Sequence, residues 1–142
     1  MFSSREEHNE AIQALIADRL SFEETIAMSL RPGIGIRIFA MESLRRQAAK
    51  DPALATGVIR RLAEIARDET NRKLGFPLGV WTFTHFAIQG LLLMQIHEAL
   101  SVADEIAYEL DEKNRKDLLL LLERTPEINS HLYEKWKSIP KR

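Results

Sequence analysis

The chain has 142 residues, is 45% hydrophobic and 29% charged, and carries a net charge of −1. A chain of this size can bury about two thirds of its unfolded surface, so it can fold around one core without a metal or disulfide staple. It contains no cysteine, which excludes a disulfide framework, a thiolate nucleophile and a cysteine zinc site.

The elements read in chain order as helices. SSREEHNEAIQALIADRL opens with Ser4 and Glu7 at capping-box spacing, followed by Ala11, Ile12, Leu15, Ile16 and Leu20 at helical intervals. The acidic, polar start is unlike a signal or transit peptide, so a soluble, cytoplasmic protein is expected. SFEETIAMSL repeats the cap with Ser21 and Glu24. RPGIG then interrupts the chain, because proline fixes its own φ and disfavours helix before it. IRIFAMESLRRQAAK predicts a third helix with Ile38, Met41, Leu44 and Ala48 on one face. It ends at DPALATG, where Asp51 can cap and Pro52 suits a first helical position. Val58, Leu62, Ile65 and Ala66 carry the fourth helix, and TNRKLGFPLG is the longest expected loop. ALSVADEIAYELDE is expected to start at a Ser101 cap, and NRKDLLLLLE predicts a short apolar helix. The last expected helix starts at Thr125–Pro126 and carries Ile128, Leu132 and Trp136 at i, i+4, i+8. No stretch alternates as a strand does. The predicted fold is all-α, a single domain of about eight short helices.

Between Leu74 and His97 there is no Asp, Glu, Lys or Arg. The run is long enough to span a bilayer. Breakers at Gly75, Pro77 and Gly79 shorten it, however, and His85, Gln89 and Gln95 would lie within the hydrocarbon. No membrane span is expected. The expectation is a central core helix over about 80–98, apolar on all sides, with Gly90 admitting a close neighbour. Trp81, Thr82, His85 and Gln89 form a candidate pocket. Thr82, His85 and Gln89 share one polar stripe that could face solvent, a nearby loop or a bound small molecule, with Trp81 at the mouth.

Phe39, Ala40 and Leu44 are echoed by Phe86, Ala87 and Leu91, and Val58 and Leu62 by Val102 and Ile106. IRIFAMESLRRQAAKDPALATGVIRRLAEIARDE resembles a HEAT-type helix pair, and the resemblance covers residues 36–112. It implies stacked helix pairs; an irregular bundle around the central apolar helix is the other arrangement open to the chain.

Charge is unevenly spread. Residues 1–30 hold two basic and six acidic side chains, residues 31–73 ten and five, and residues 74–142 eight and ten. From the central basic block, Arg37, Arg45, Arg46, Arg60 and Arg61 form a candidate interaction patch, because guanidinium groups grip carboxylates and phosphates bidentately. The competing reading is a solvated face with local pairs such as Arg60–Glu64. Catalytic patterns are missing. His131 with Glu127 and Glu134 is the sole helix-spaced ligand set, and it reads as a solvated face. RPGIGIR lacks the spacing of a phosphate loop, no nucleophile elbow occurs, and no metal or cofactor is expected. The reading that follows is a noncatalytic helical interaction or regulatory protein for a partner with an acidic surface; a neutralising, immunity-type protein fits this profile. A small-molecule-binding domain built on the Trp81/His85/Gln89 stripe is the alternative. Nucleic-acid binding through the arginine block is disfavoured by the near-neutral charge and the lack of interleaved aromatics. The oligomeric state stays open.

Overall fold

The structure is a computed structural model that describes residues 5–30, 34–70 and 81–138. The fold is all-α, and no strand occurs among the described residues. The α-helices are α1 (Arg5–Ile16), α2 (Phe22–Met28), α3 (Ile34–Lys50), α4 (Ala55–Arg67), α5 (Phe83–Leu93), α6 (His97–Glu109) and α7 (Glu112–Glu123). A 3-10 turn at Pro52–Leu54 precedes α4, and a 3-10 segment at Ser130–Ser138 follows α7. Ser4, the Pro32–Gly33 break and residues 71–79 of the expected loop TNRKLGFPLG lie outside the described residues. The chain clusters into two compact units, Met1–Val58 and Ile59–Arg142.

In the first unit α3 packs against both α1 and α2. Leu15, Ile36 and Ala40 form a core with Ile12, Leu20, Met28 and Phe39 against it. The second expected cap is present: the Ser21 hydroxyl accepts from the Glu24 amide at 3.1 Å, and Glu24 accepts from the Ser21 amide at 2.9 Å. Hydrogen bonds to the carboxylate from the backbone and the side chain of Ser21 hold the Glu24 carboxyl below its usual range. α1 ends in a Schellman motif, with Arg19 N–H bonded to the Ala14 carbonyl and Asp18 N–H to that of Leu15. The left-handed position, φ 54°, is filled by Asp18 rather than glycine. Asp51 caps the Pro52–Leu54 turn by accepting from the Ala53 amide at 3.1 Å.

In the second unit α5 packs against α6 and α7. No residue from Thr82 to Met94 is exposed. The Thr84 hydroxyl donates to the Ala66 carbonyl of α4 at 3.1 Å, and a Cβ added at Gly90 would meet Leu62 at 3.4 Å, an ordinary contact distance. Ala99, Ala103 and Ala107 bury the small-residue face of α6. Arg67 holds the end of α6 with three bonds to the Glu109 carboxylate, at 2.8, 3.1 and 3.2 Å.

Three boundaries differ from expectation. The uncharged helix runs over Phe83–Leu93 rather than 80–98, because Gln95 adopts φ 55° and turns the chain out of the helix. The next helix starts at His97, so Ser101 lies inside it and is no cap; Ile96 takes the cap position. The C-terminal element is 3-10, not α. At three residues per turn Ser130, Tyr133 and Trp136 align, so Trp136 is fully buried while Leu132 is 64% exposed.

Candidate functional site

The polar stripe on α5 is directed at α7 and the residue pair that follows it. His85 is fully buried. Its Nδ1 accepts the Thr82 amide proton at 2.9 Å, the return arm of a capping box with histidine in the place usually held by Glu or Gln. That bond fixes the neutral Nε2–H tautomer, and Nε2 donates to the Asn114 carbonyl at 3.2 Å. Burial pulls the imidazole pKa down, against the opposing pull of the Asn114 carbonyl and of Asp117 and Asp111. Gln89 donates to the Thr125 hydroxyl at 2.9 Å, and Thr125 donates in turn to the Leu121 carbonyl at 2.8 Å. Trp81 Nε1 donates to the Asp117 carbonyl at 2.8 Å, with Arg124 stacked 5.3 Å from its ring centroid. The four residues therefore do come together, along the α5–α7 seam, and protein groups bond Trp81 Nε1, both ring nitrogens of His85 and Gln89 Nε2.

The arginines divide differently. Arg46 lies against Asp18: Nε meets Oδ2 at 2.9 Å and Nη2 meets Oδ1 at 3.0 Å. Nη2 also reaches the Leu15 carbonyl at 3.1 Å, and Ser43 donates to Asp18 at 2.7 Å. Gln47 extends this network by donating to Ser43 and Thr25. Burial raises the Asp18 carboxyl, but the bonds from Arg46 and Ser43 and the charges of Arg46 and Lys50 outweigh it, and the net shift is downward. Arg37 donates to the Ser29 carbonyl at 3.2 Å. Arg45 is half-buried and Arg60 exposed. Glu64 pairs with Arg61 at 2.8 Å, one residue away from the expected Arg60 partner. His131 meets Glu134 at 3.0 Å on an exposed face. Among the described residues, no group of three His, Asp or Glu side chains is placed to hold a metal ion.

A groove that the sequence reading missed lies between α7 and the C-terminal segment, with a volume of about 380 Å³. One wall is a single stripe of α7: Glu112, Arg115, Lys116, Leu119, Leu120 and Glu123, spaced three and four residues apart. Trp136 and Lys137 form the other wall. Trp136 is anchored by a 2.9 Å bond from Nε1 to Asp104 and a tilted ring contact with Tyr133 at 4.8 Å. Burial raises the Asp104 carboxyl, yet bonds from Trp136 and Lys135 bring it to a net value below the ordinary range. Leu119 is buried at the base, and Leu120 is 43% exposed at the lip. The sequence signal was present in NRKDLLLLLE, where five leucines exceed what one buried face can hold.

No helix of the described residues is long and apolar enough to cross a membrane. Comparison with protein-family models, curated proteins and solved structures gives no match for this chain.

Proposed function

We propose that this protein is a noncatalytic binding module that works by contact with another protein chain, and that the α7 groove is its contact surface. The observation that carries this reading is the make-up of the groove. Its centre is apolar, with Leu120 exposed over the buried Leu119 and Trp136, and its rim holds charges of both signs. An apolar centre with a charged rim suits a protein surface. Two carboxylates in the same stripe oppose a phosphate backbone. Exposed cationic side chains at Lys116 and Lys137 give acidic groups of a partner something to meet, in keeping with an acidic partner surface. The small-molecule alternative loses support because Trp81, His85 and Gln89 bond within the protein. His85, with both ring nitrogens engaged, is poorly suited to proton transfer.

The test is a photo-crosslinking amino acid placed at Leu120 and, as a control, at exposed Glu105 on α6. The expected outcome is a discrete protein adduct from position 120 in native extract and none from position 105. Equal labelling from both positions, or a nucleic-acid adduct from 120, overturns the proposal.

A further inference from the structure

We infer that the occupant of the α7 groove is α7 of a second copy of this chain, packed antiparallel. The inference rests on the reading of the groove as a contact surface and names the partner. Its basis is a symmetry of charge. Lys116, Leu119, Leu120 and Glu123 all line the groove, and they are arranged evenly about the step between Leu119 and Leu120. Lys116 and Glu123 stand equally far from that step, both are exposed, and neither has an ion-pair partner among the described residues. An antiparallel pairing about the step sets Lys116 of each copy opposite Glu123 of the other. It also places Leu120 of each copy against Leu119 and Leu120 of its mate, closing the half-exposed leucine away from water. A parallel pairing would set lysine on lysine and glutamate on glutamate, so the charges select one direction.

Arg115 and Arg124 would approach each other in this register. Each is held within its own chain, Arg115 by the Leu110 carbonyl and Arg124 by the Trp81 ring. The pairing is isologous, the arrangement a two-fold dimer requires. α7 has 12 residues, a length of about 18 Å, which makes a small interface and a weak, concentration-dependent dimer.

Sedimentation velocity over a concentration series, at low and high salt, tests the pairing. The wild-type chain is expected to dimerise reversibly and less tightly in high salt. Lys116→Glu or Glu123→Lys alone should weaken the dimer by about tenfold or more, since each places two like-charge pairs across the interface. The double variant Lys116→Glu/Glu123→Lys restores both ion pairs with their signs exchanged and should recover most of the affinity. Both positions are exposed, and circular dichroism of each variant checks that the fold is intact. A wild-type chain that stays monomeric at every concentration in low salt, or a double variant no tighter than the singles, overturns the inference. If the chain is monomeric while the crosslinker at Leu120 captures a different protein, the contact-surface reading stands and the second-copy inference falls.

Discussion

Asp18 sits in left-handed backbone geometry, where a side chain with a Cβ costs about 1–2 kcal/mol. Glycine is the usual occupant of this helix terminus. The carboxylate offsets the cost by gathering Arg46, Ser43 and Lys50 onto the end of α1. Replacing it separates the two terms. Asp18→Ala keeps the strained backbone and loses the bonds; Asp18→Gly loses the bonds and releases the strain. Both should lower stability in denaturant unfolding, with the alanine variant lower than the glycine variant by about 1 kcal/mol. Equal losses would show that the backbone is not strained at this position.

His85 makes a second prediction at the same scale. Burial lowers its pKa, so the unfolded chain takes up this proton at higher pH than the folded chain does. Its contribution to stability is therefore intact above about pH 6.5 and is lost as pH falls below that value. Protonation also removes the acceptor that Nδ1 offers to the Thr82 amide. Unfolding free energies measured between about pH 8 and pH 5 should fall for the wild-type chain and fall less for His85→Gln. An identical slope in the variant would contradict this role. The lowered carboxyls of Asp18 and Asp104 act in a separate window, losing their stabilising effect as pH drops below about 4.

At the scale of elements, two caps were legible, the Ser101 cap was misread, and the end of α5 was not legible. Ser21–Glu24 and Asp51–Pro52 announce helix starts through side chains that bond backbone amides, and both occur as read. The end of α5 carries no such signal. Gln95 is neither Gly nor Asn, and an uncharged run offers no change of polarity to mark a boundary. Relieving that position tests it: Gln95→Gly should leave stability unchanged or raise it by about 0.5 kcal/mol, while Gln95→Val should lower it by about 1 kcal/mol. The C-terminal segment misled for another reason. Over nine residues, periods of 3.0 and 3.6 drift half a turn apart, but so few apolar residues do not choose between them: Ile128, Leu132 and Trp136 fit an α-helix about as well as Tyr133 and Trp136 fit a 3-10 turn. The two periods assign opposite fates to Leu132. Trp136→Ala should cost about 3–5 kcal/mol, because it empties a fully buried site on α7 and breaks the bond to Asp104. Leu132→Ser should stay within about 0.5 kcal/mol. The reverse ranking in thermal unfolding would restore the α-helical face.

At the scale of the whole molecule, the sequence disclosed the fold class and the absence of familiar catalytic patterns, but little of the contact surface. Helical spacing of apolar residues is strong and local, whereas a groove depends on which two elements lie side by side. The stripe at Thr82, His85 and Gln89 drew attention because polar groups in an apolar run are conspicuous, yet their partners on and after α7 are 29 and 36 residues away. Arg46 was conspicuous as a charge and is engaged by Asp18, 28 residues earlier. Lys116 and Glu123 were overlooked because they frame a leucine run that reads as core.

On the proposed reading the α7 groove, and not the arginine block or the α5 stripe, is where this protein meets its partner. Methyl NMR of the leucine-labelled chain, recorded over a concentration series in buffer and again in native extract, is the test. The Leu119 and Leu120 methyl signals are expected to shift or broaden with rising concentration or in extract, while those of Leu15 and Leu44, buried in the first unit, stay in place. Unchanged Leu119 and Leu120 signals, with the response confined to methyls beside Arg45 and Arg46, would contradict it.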